Sequence, residues 1–146
     1  MRAFSFVISA GCENHGLARL ADDGNAMTVL KKFHIALVGL PGSGKSTIGR
    51  YLAKRWSMPF VDVDVAIEEH IGCTIRDFFA KEGESRFRDV EQEVLAALLA
   101  RPEKTVVATG GGAVLKAENR QELAEHAQVV YLSASPHEIA KRLQRD

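Results

Sequence analysis

The chain has 146 residues, 46% hydrophobic and 26% charged, which is the size and composition of one folded domain. Nineteen basic and nineteen acidic residues cancel, so no overall positive field draws the chain to nucleic acid or to an anionic membrane surface. Charged residues interrupt every apolar run before the ~20 residues that a membrane helix needs. The two cysteines lack the spacing of a disulfide framework or a zinc site, so we expect a cytoplasmic protein in a reducing environment.

Residues 1–32 show no sustained hydrophobic periodicity and contain scattered Gly, Asn and Asp. We expect a poorly ordered N-terminal extension over 1–32, followed by one domain over 33–146. The start of the extension matches an export signal poorly, because its apolar stretch is short and contains serines. Met27 is an alternative start of the protein, since it lies just before the first convincing strand.

From Phe33 onward, short apolar runs alternate with helical stretches, which is typical of a parallel sheet covered by helices. Strands are predicted at 33–38, 60–62, 105–109 and 128–132. Helices are predicted at 45–56, 64–71, 75–82, 84–100 and 117–126. A further helix is predicted over 136–145, because Ser135 is a suitable N-cap and Pro136 suits the first helical position. The predicted fold is α/β, a three-layer α/β/α arrangement around a parallel sheet.

The segment GLPGSGKS at 39–46 fits the pattern G-x-x-x-x-G-K-[ST] between a strand and a helix. Such a loop turns its backbone N–H groups inward, and the following helix adds the positive end of its dipole, so a polyphosphate is bound. Lys45 is expected to reach the outer phosphates, and Ser46 to offer its hydroxyl to the Mg²⁺ that accompanies ATP. The predicted ATP-binding residues are Gly39, Pro41, Gly42, Ser43, Gly44, Lys45, Ser46 and Thr47. A turn that binds nothing is the alternative.

Two carboxylates, Asp62 and Asp64, lie at the end of the second predicted strand, two residues apart and so on one side of the pleat. At the carboxyl end of a parallel strand, one could help to hold Mg²⁺. The other could accept a hydrogen bond and then a proton from an attacking hydroxyl. The structural alternative is that Asp62 ends the strand and Asp64 caps the next helix.

Two further features point to a small anionic substrate. Gly110-Gly111-Gly112 follows the strand KTVVAT and exposes backbone N–H groups, although a flexible turn is the commoner meaning. Glu91 lies one helical turn after Arg88 and could orient its guanidinium to bind a carboxylate through two parallel bonds. An ordinary exposed ion pair is the alternative. The five histidines are dispersed and form no metal-site spacing.

The segments GLPGSGKST, DVDVAIE, TIRDFFAKEGESRFRDVE and TGGGAV, in this order, resemble those of the shikimate kinases, P-loop enzymes of aromatic amino-acid biosynthesis. The resemblance extends from about Phe33 to Asp146. It implies transfer of the γ-phosphoryl group of MgATP to the 3-hydroxyl of shikimate. The implied partners are therefore ATP and shikimate, with Mg²⁺ as the cofactor.

The resemblance also implies roles for individual residues. Asp64 would hydrogen-bond substrate hydroxyls, and Arg88, steadied by Glu91, would bind the substrate carboxylate. Asp62 would organise Mg²⁺ together with Ser46 and is a second candidate for the base. The catalytic set is then Lys45, Asp62 and Asp64. The substrate-binding set is Asp64, Arg88, Glu91, Gly110, Gly111, Gly112 and the aromatic walls Phe79 and Phe87, for which core packing is an equally physical explanation.

The family continues after the helix near 136–145 into an arginine-bearing lid, a second substrate-binding arginine, a final strand and an adenine-binding segment, which this sequence does not contain. We therefore expect a P-loop kinase fold without the lid and last strand, with an uncovered sheet edge that favours association. A complete protein is expected to be a monomer. The alternatives are a gluconate kinase or another small-molecule kinase, and a nucleotide-binding module without catalytic activity.

Overall fold

The computed structural model of the chain describes residues 5–9, 33–40 and 43–133, with only the backbone of 5–9 and of Ser133, and contains both strands and helices. The strands are β1 Ser5–Ser9, β2 His34–Val38, β3 Phe60–Asp62, β4 Val106–Ala108 and β5 Ala127–Ser133. The helices are α1 Lys45–Arg55, α2 Val63–Ile71, α3 Ile75–Glu82, α4 Glu84–Leu99 and α5 Ala117–His126. The four strands and five helices predicted within 33–133 are confirmed, while the helix predicted over 136–145 lies outside the described residues.

The strands form one five-stranded sheet in the order β1-β5-β2-β4-β3, and every neighbouring pair is parallel. All five residues of β2 are buried, because this strand lies inside the sheet and both of its faces are covered. Ile35 and Leu37 pack with α1, whereas Ala36 and Val38 pack with α2, α4 and α5 on the opposite face. The three-layer α/β fold is therefore confirmed.

The helices cover the sheet through apolar stripes that follow the helical repeat. The buried stripe of α4 consists of Phe87, Val90, Val94, Leu95, Leu98 and Leu99. On the other face, Ile48, Leu52 and Ala53 of α1, with Trp56 just after it, pack on the sheet. No helix within the described ranges combines the length and apolar character needed to cross a bilayer.

His34 connects the amino end of β2 to the chain that enters β4. Its ring is fully buried, with Nε2 placed 3.0 Å from the Arg101 carbonyl oxygen and Nδ1 accepting a hydrogen bond from the Thr105 N–H at 3.1 Å. These partners require a neutral ring that donates from Nε2. Burial lowers the pKa of His34 below its ordinary value of 6.5.

The strand β1 was not predicted from the sequence. It pairs in parallel with β5, from Ser5 opposite Val129 to Ser9 opposite Ser133, and so covers the outer edge of β5. Five residues without a longer periodic context carry little local signal, because this strand is defined by backbone pairing with a distant segment. We expected one uncovered sheet edge without naming the strand, and the structure pairs the outer edge of β5 with a strand from the N-terminal part of the chain.

Candidate functional site

The predicted site residues lie at one edge of the sheet, where β2, β4 and β3 end. Gly39 follows β2, Thr109 follows β4, and Asp62 is the last residue of β3. Because these three strands are parallel neighbours, their carboxyl ends point to the same edge. The described parts of the phosphate loop (39–40 and 43–44), the two aspartates and the glycine turn at 110–112 therefore lie at this edge.

The phosphate loop (residues 39–44) leads into α1, and the backbone N–H groups at the N-terminus of this helix are available to bind an anion. Gly44 precedes the helix in a left-handed conformation, with φ of 89°, and no described side chain caps α1. The first turn of α1 also contains no acidic residue, so the positive end of the helix dipole is not neutralised there. Pro41 and Gly42 lie outside the described residues, whereas Thr47 is exposed in the first turn of α1.

Gly39 fixes the start of this loop against the end of β5. Its φ is 154°, and a Cβ there would lie 2.6 Å from the Leu132 carbonyl oxygen and 3.0 Å from Ser43 Oγ. Only glycine fits such a close approach with this backbone angle. The Ser43 side chain is buried beneath the loop, and its Oγ has no hydrogen-bond partner among the described residues.

The Lys45 side chain folds across the loop and faces both aspartates. Its Nζ donates hydrogen bonds to the carbonyl oxygens of Gly39, at 2.7 Å, and Leu40, at 3.0 Å. Burial lowers the pKa of Lys45, and the Asp64 and Asp62 carboxylates act in the opposite direction. An ammonium group is therefore held beside the loop, within electrostatic reach of Asp62, which ends β3, and of Asp64 in the first turn of α2.

Asp62 links the phosphate loop to the start of α2. Its Oδ1 accepts hydrogen bonds from the backbone N–H groups of Asp64, at 2.9 Å, and Val65, at 3.4 Å. Its Oδ2 accepts from Ser46 Oγ at 2.8 Å. The alternative that Asp64 caps the helix is therefore wrong, because α2 starts at Val63 and Asp62 holds the extended N-cap conformation.

The adjacent hydroxyl of Ser46 and carboxylate of Asp62 are the hard oxygen donors that Mg²⁺ prefers, so this pair fits a magnesium ion carried by a nucleotide. Within the described part of the chain, no three His, Cys, Asp and Glu side chains cluster as a metal-binding group. The described side chains best placed for Mg²⁺ are therefore these two.

Asp64 lies between the phosphate loop and the glycine turn. Its Oδ1 is 2.9 Å from the position that a Cβ on Gly110 would take, so the turn passes directly against the carboxylate. Desolvation raises the pKa of Asp64, and the carboxylates of Asp62 and Glu91 raise it further, while Lys45 lowers it. A carboxylate with a raised pKa is a better proton acceptor than an ordinary aspartate.

Arg88 forms ion pairs with two acids in the first turns of α4, but only Glu91 is close enough for a hydrogen bond. Arg88 Nη1 donates to Glu91 Oε1 at 2.9 Å, whereas Arg88 Nε lies 3.8 Å from Glu84 Oε1 and has no hydrogen-bond partner among the described residues. The Glu91 side chain is only 1% exposed, so the alternative of an ordinary exposed ion pair is wrong. Glu84 was missed by the sequence analysis, although its spacing of four residues before Arg88 is the signal that would have found it.

The glycine turn packs against both of these groups. A Cβ on Gly112 would lie 2.6 Å from the guanidinium carbon of Arg88, and one on Gly110 would lie 3.3 Å from Glu91 Oε2. Gly112 has an ordinary negative φ of −99°, so its backbone conformation does not require glycine, whereas a Cβ there would displace the Arg88 guanidinium. Gly111 is exposed at the turn.

The two phenylalanines predicted as aromatic walls have different surroundings. Their ring centroids are 5.5 Å apart, but Phe87 is a buried core residue and Phe79 is exposed. The Arg88 guanidinium carbon lies 5.2 Å from the centroid of the Phe87 ring. Phe87 therefore supports Arg88 from the core, and only Phe79 presents a ring to solvent near α4.

Residues 41–146 match the family model described as shikimate kinase. A curated shikimate kinase of Paracidovorax citrulli is 53% identical over 113 residues, which are 77% of this chain and 62% of that protein. A shikimate kinase of Acinetobacter baumannii, solved in complex with shikimate, is 41% identical with a TM-score of 0.76 and covers 82% of this chain and 67% of that one. The shikimate kinase of Bacteroides thetaiotaomicron is 32% identical, with a TM-score of 0.75 over 78% of this chain and 64% of that one. The chain thus spans 62% of the length of the Paracidovorax relative.

Proposed function

Because the chain belongs to the shikimate kinase family, we propose that it catalyses ATP-dependent phosphorylation of the 3-hydroxyl of shikimate. The observation that carries the proposal is that a Cβ on Gly110 would lie within 3.3 Å of both Asp64, which interacts with Lys45, and Glu91, which holds Arg88. One site thereby combines a polyphosphate-binding loop with a guanidinium suited to a carboxylate. The reaction uses ATP and would take place in the cytoplasm, where ATP is abundant.

The nucleotide would bind at the loop that precedes α1. Backbone N–H groups at the open end of the helix and the Lys45 ammonium group would bind its phosphates. Ser46 and Asp62 would hold Mg²⁺, because their oxygen atoms are already side by side. When bound, Mg²⁺ neutralises charge on the phosphate oxygens.

Shikimate would bind between α4 and the glycine turn. Arg88 would bind its carboxylate through two parallel N–H···O bonds, while the buried Glu91 keeps the guanidinium oriented. Gly111 and Gly112 would offer backbone donors to the substrate. This arrangement favours a substrate that has a carboxylate over a neutral sugar, which would leave the guanidinium of Arg88 without a partner.

The transfer step needs a proton acceptor beside the substrate hydroxyl, and Asp64 suits this role better than Asp62. Both oxygens of Asp62 already accept hydrogen bonds, from Ser46 and from the start of α2. The hydroxyl oxygen forms a bond to the γ-phosphorus while the bond from that phosphorus to the β–γ bridging oxygen breaks. ADP leaves with the electron pair, and the hydroxyl proton passes to Asp64, whose pKa is raised.

The proposal is tested by measuring ADP release and ligand binding by this chain with shikimate, with gluconate and with a shikimate analogue that lacks the carboxylate. We expect ADP release with shikimate, matched by shikimate 3-phosphate in equal amount, and none with the other two. Preferred turnover of gluconate would support a gluconate kinase instead. Binding of ATP and shikimate without ADP release would indicate a nucleotide-binding module and contradict the proposed activity.

A further inference from the structure

The chain that follows the glycine turn is fixed to α5 by two side chains. It forms a 3₁₀ turn over Ala113–Leu115. Asn119, which is buried, donates from Nδ2 to the Ala113 carbonyl oxygen at 2.9 Å. Arg120 Nη1 donates to the carbonyl oxygens of Val114, at 2.7 Å, and Leu115, at 3.1 Å. The segment that follows the glycine turn in the sequence is therefore fixed to α5.

Lys116 connects this segment to α4. Its Nζ donates to Asp89 Oδ1 at 2.6 Å and to Gln92 Oε1 at 3.1 Å. Asp89 directly follows Arg88 in the sequence, and Gln92 directly follows Glu91. Lys116 therefore binds the same turns of α4 that carry the guanidinium and its buried acceptor.

We propose that Lys116 is a positioning residue that holds the glycine turn at the correct distance from Arg88. This inference rests on the proposed function, because it assigns Lys116 an effect on the carboxylate-binding end of the shikimate site. A Cβ on Gly112 would displace the Arg88 guanidinium, so the spacing between the glycine turn and α4 affects where the guanidinium lies. Lys116 lies at the far end of the 3₁₀ turn from Gly112 and supplies a direct side-chain link to α4.

A purely structural role predicts something different. The Asp89 partner is half-exposed, and ion pairs of this kind contribute little to folding stability. If Lys116 only forms a surface ion pair, its removal leaves the kinetic constants for both substrates unchanged. If it positions the turn, its removal weakens shikimate binding while the phosphate loop, on the other side of Asp64, keeps its affinity for ATP.

The test compares Lys116→Met, which keeps the aliphatic stem, with the control Lys54→Met, which removes an exposed lysine from the last turn of α1. We expect Lys116→Met to raise the KM and Kd for shikimate about 3- to 10-fold, with the KM for ATP and kcat within about twofold of the wild-type values. Lys54→Met should match the wild type. An unchanged shikimate KM, or an equal rise for both substrates, would overturn the inference.

A charge exchange provides the second variant. Lys116→Asp combined with Asp89→Lys restores an ion pair of reversed direction, so it should recover shikimate affinity that Lys116→Asp alone loses. Failure of this rescue in a folded double variant would count against positioning. Calorimetric Kd values for shikimate distinguish the two proposals. A wild-type chain that binds shikimate without releasing ADP refutes the kinase activity. The Kd of Lys116→Met, compared with that of the wild type, then still measures the effect of Lys116 on shikimate binding. A wild-type chain that does not bind shikimate overturns both.

Discussion

The contact between Gly112 and Arg88 makes Gly112→Ala a sharp perturbation of the substrate site. The added methyl group would lie 2.6 Å from the guanidinium carbon, about 1 Å closer than the ~3.5 Å of an ordinary contact. Its backbone angles of φ −99° and ψ 5° are open to alanine, so the substitution acts mainly through this clash. Arg88 must therefore move by about 1 Å or lose its alignment with Glu91.

The expected loss follows from the bond that this movement weakens. A hydrogen bond to a charged group contributes about 1.5–3 kcal/mol, and each ~1.4 kcal/mol corresponds to a factor of ten in affinity. We therefore expect the KM for shikimate to rise about 10- to 100-fold. The KM for ATP should change little, since the three atoms nearest an added Cβ at Gly112 all belong to the Arg88 guanidinium.

Initial rates of ADP release, with each substrate varied in turn, measure this effect. Gly72→Ala is the matched control, because a Cβ at Gly72 meets nothing within 4 Å and its φ of 73° costs backbone strain only. That control should lower the melting temperature and leave both KM values unchanged. A folded Gly112→Ala variant with wild-type KM for shikimate would refute the placement of the substrate carboxylate at Arg88.

Four further predictions concern other parts of the molecule. Lys45→Ala should weaken ATP binding in calorimetry and abolish ADP release, and unchanged turnover would contradict its phosphate role. Arg88→Lys should raise the shikimate KM about tenfold or more, because two-bond geometry is lost while charge is kept, and should leave ATP affinity unchanged; equal binding of an analogue lacking the carboxylate would argue against this. The pKa of His34 is lowered in the folded protein, so as the pH falls below about 6.5 the imidazole gains a proton in the unfolded chain first, which destabilises the fold. Below pH ~6.5 the melting temperature of the wild type should therefore drop more than that of His34→Gln. The same pH dependence in both proteins would exclude His34 as the cause. In a strand, successive backbone N–H groups point to opposite sides, so one of Phe6 and Val7 donates its N–H toward β5 in the observed register. The double variant Phe6→Pro and Val7→Pro therefore removes a hydrogen bond between β1 and β5, and should increase association of the protein in light scattering. Association equal to that of the wild type would contradict a covering role for β1.

The elements that form the site could be predicted because their signals are local. The apolar run before Gly39, the acids that end β3 and the stripe of α4 each lie within a few consecutive turns or residues. Parallel topology then places the ends of these strands at one edge, which is why Lys45, Asp64 and Arg88 could be assigned to one site before their contacts were known.

The features that could not be predicted depend on contacts between residues distant in sequence, or on a shift of one residue in where a helix begins. The strand β1 pairs with β5 at the other end of the described chain, and Lys116 binds Asp89 at a separation of 27 residues. Asp62 rather than Asp64 caps α2 because the helix starts one residue earlier than predicted, and a shift of that size is invisible to periodicity.

The most direct test of the account is an NMR titration that follows the backbone amides and the Arg88 side-chain N–H signals as shikimate and MgADP are added separately. We expect shikimate to shift Arg88 and Gly110–Gly112, MgADP to shift Gly44–Ser46, and the amide of Asp64 to respond to both ligands. Shikimate shifts that leave Arg88 and the glycine turn unchanged, or an Asp64 amide that responds to neither ligand, would contradict a single site shared by the two substrates.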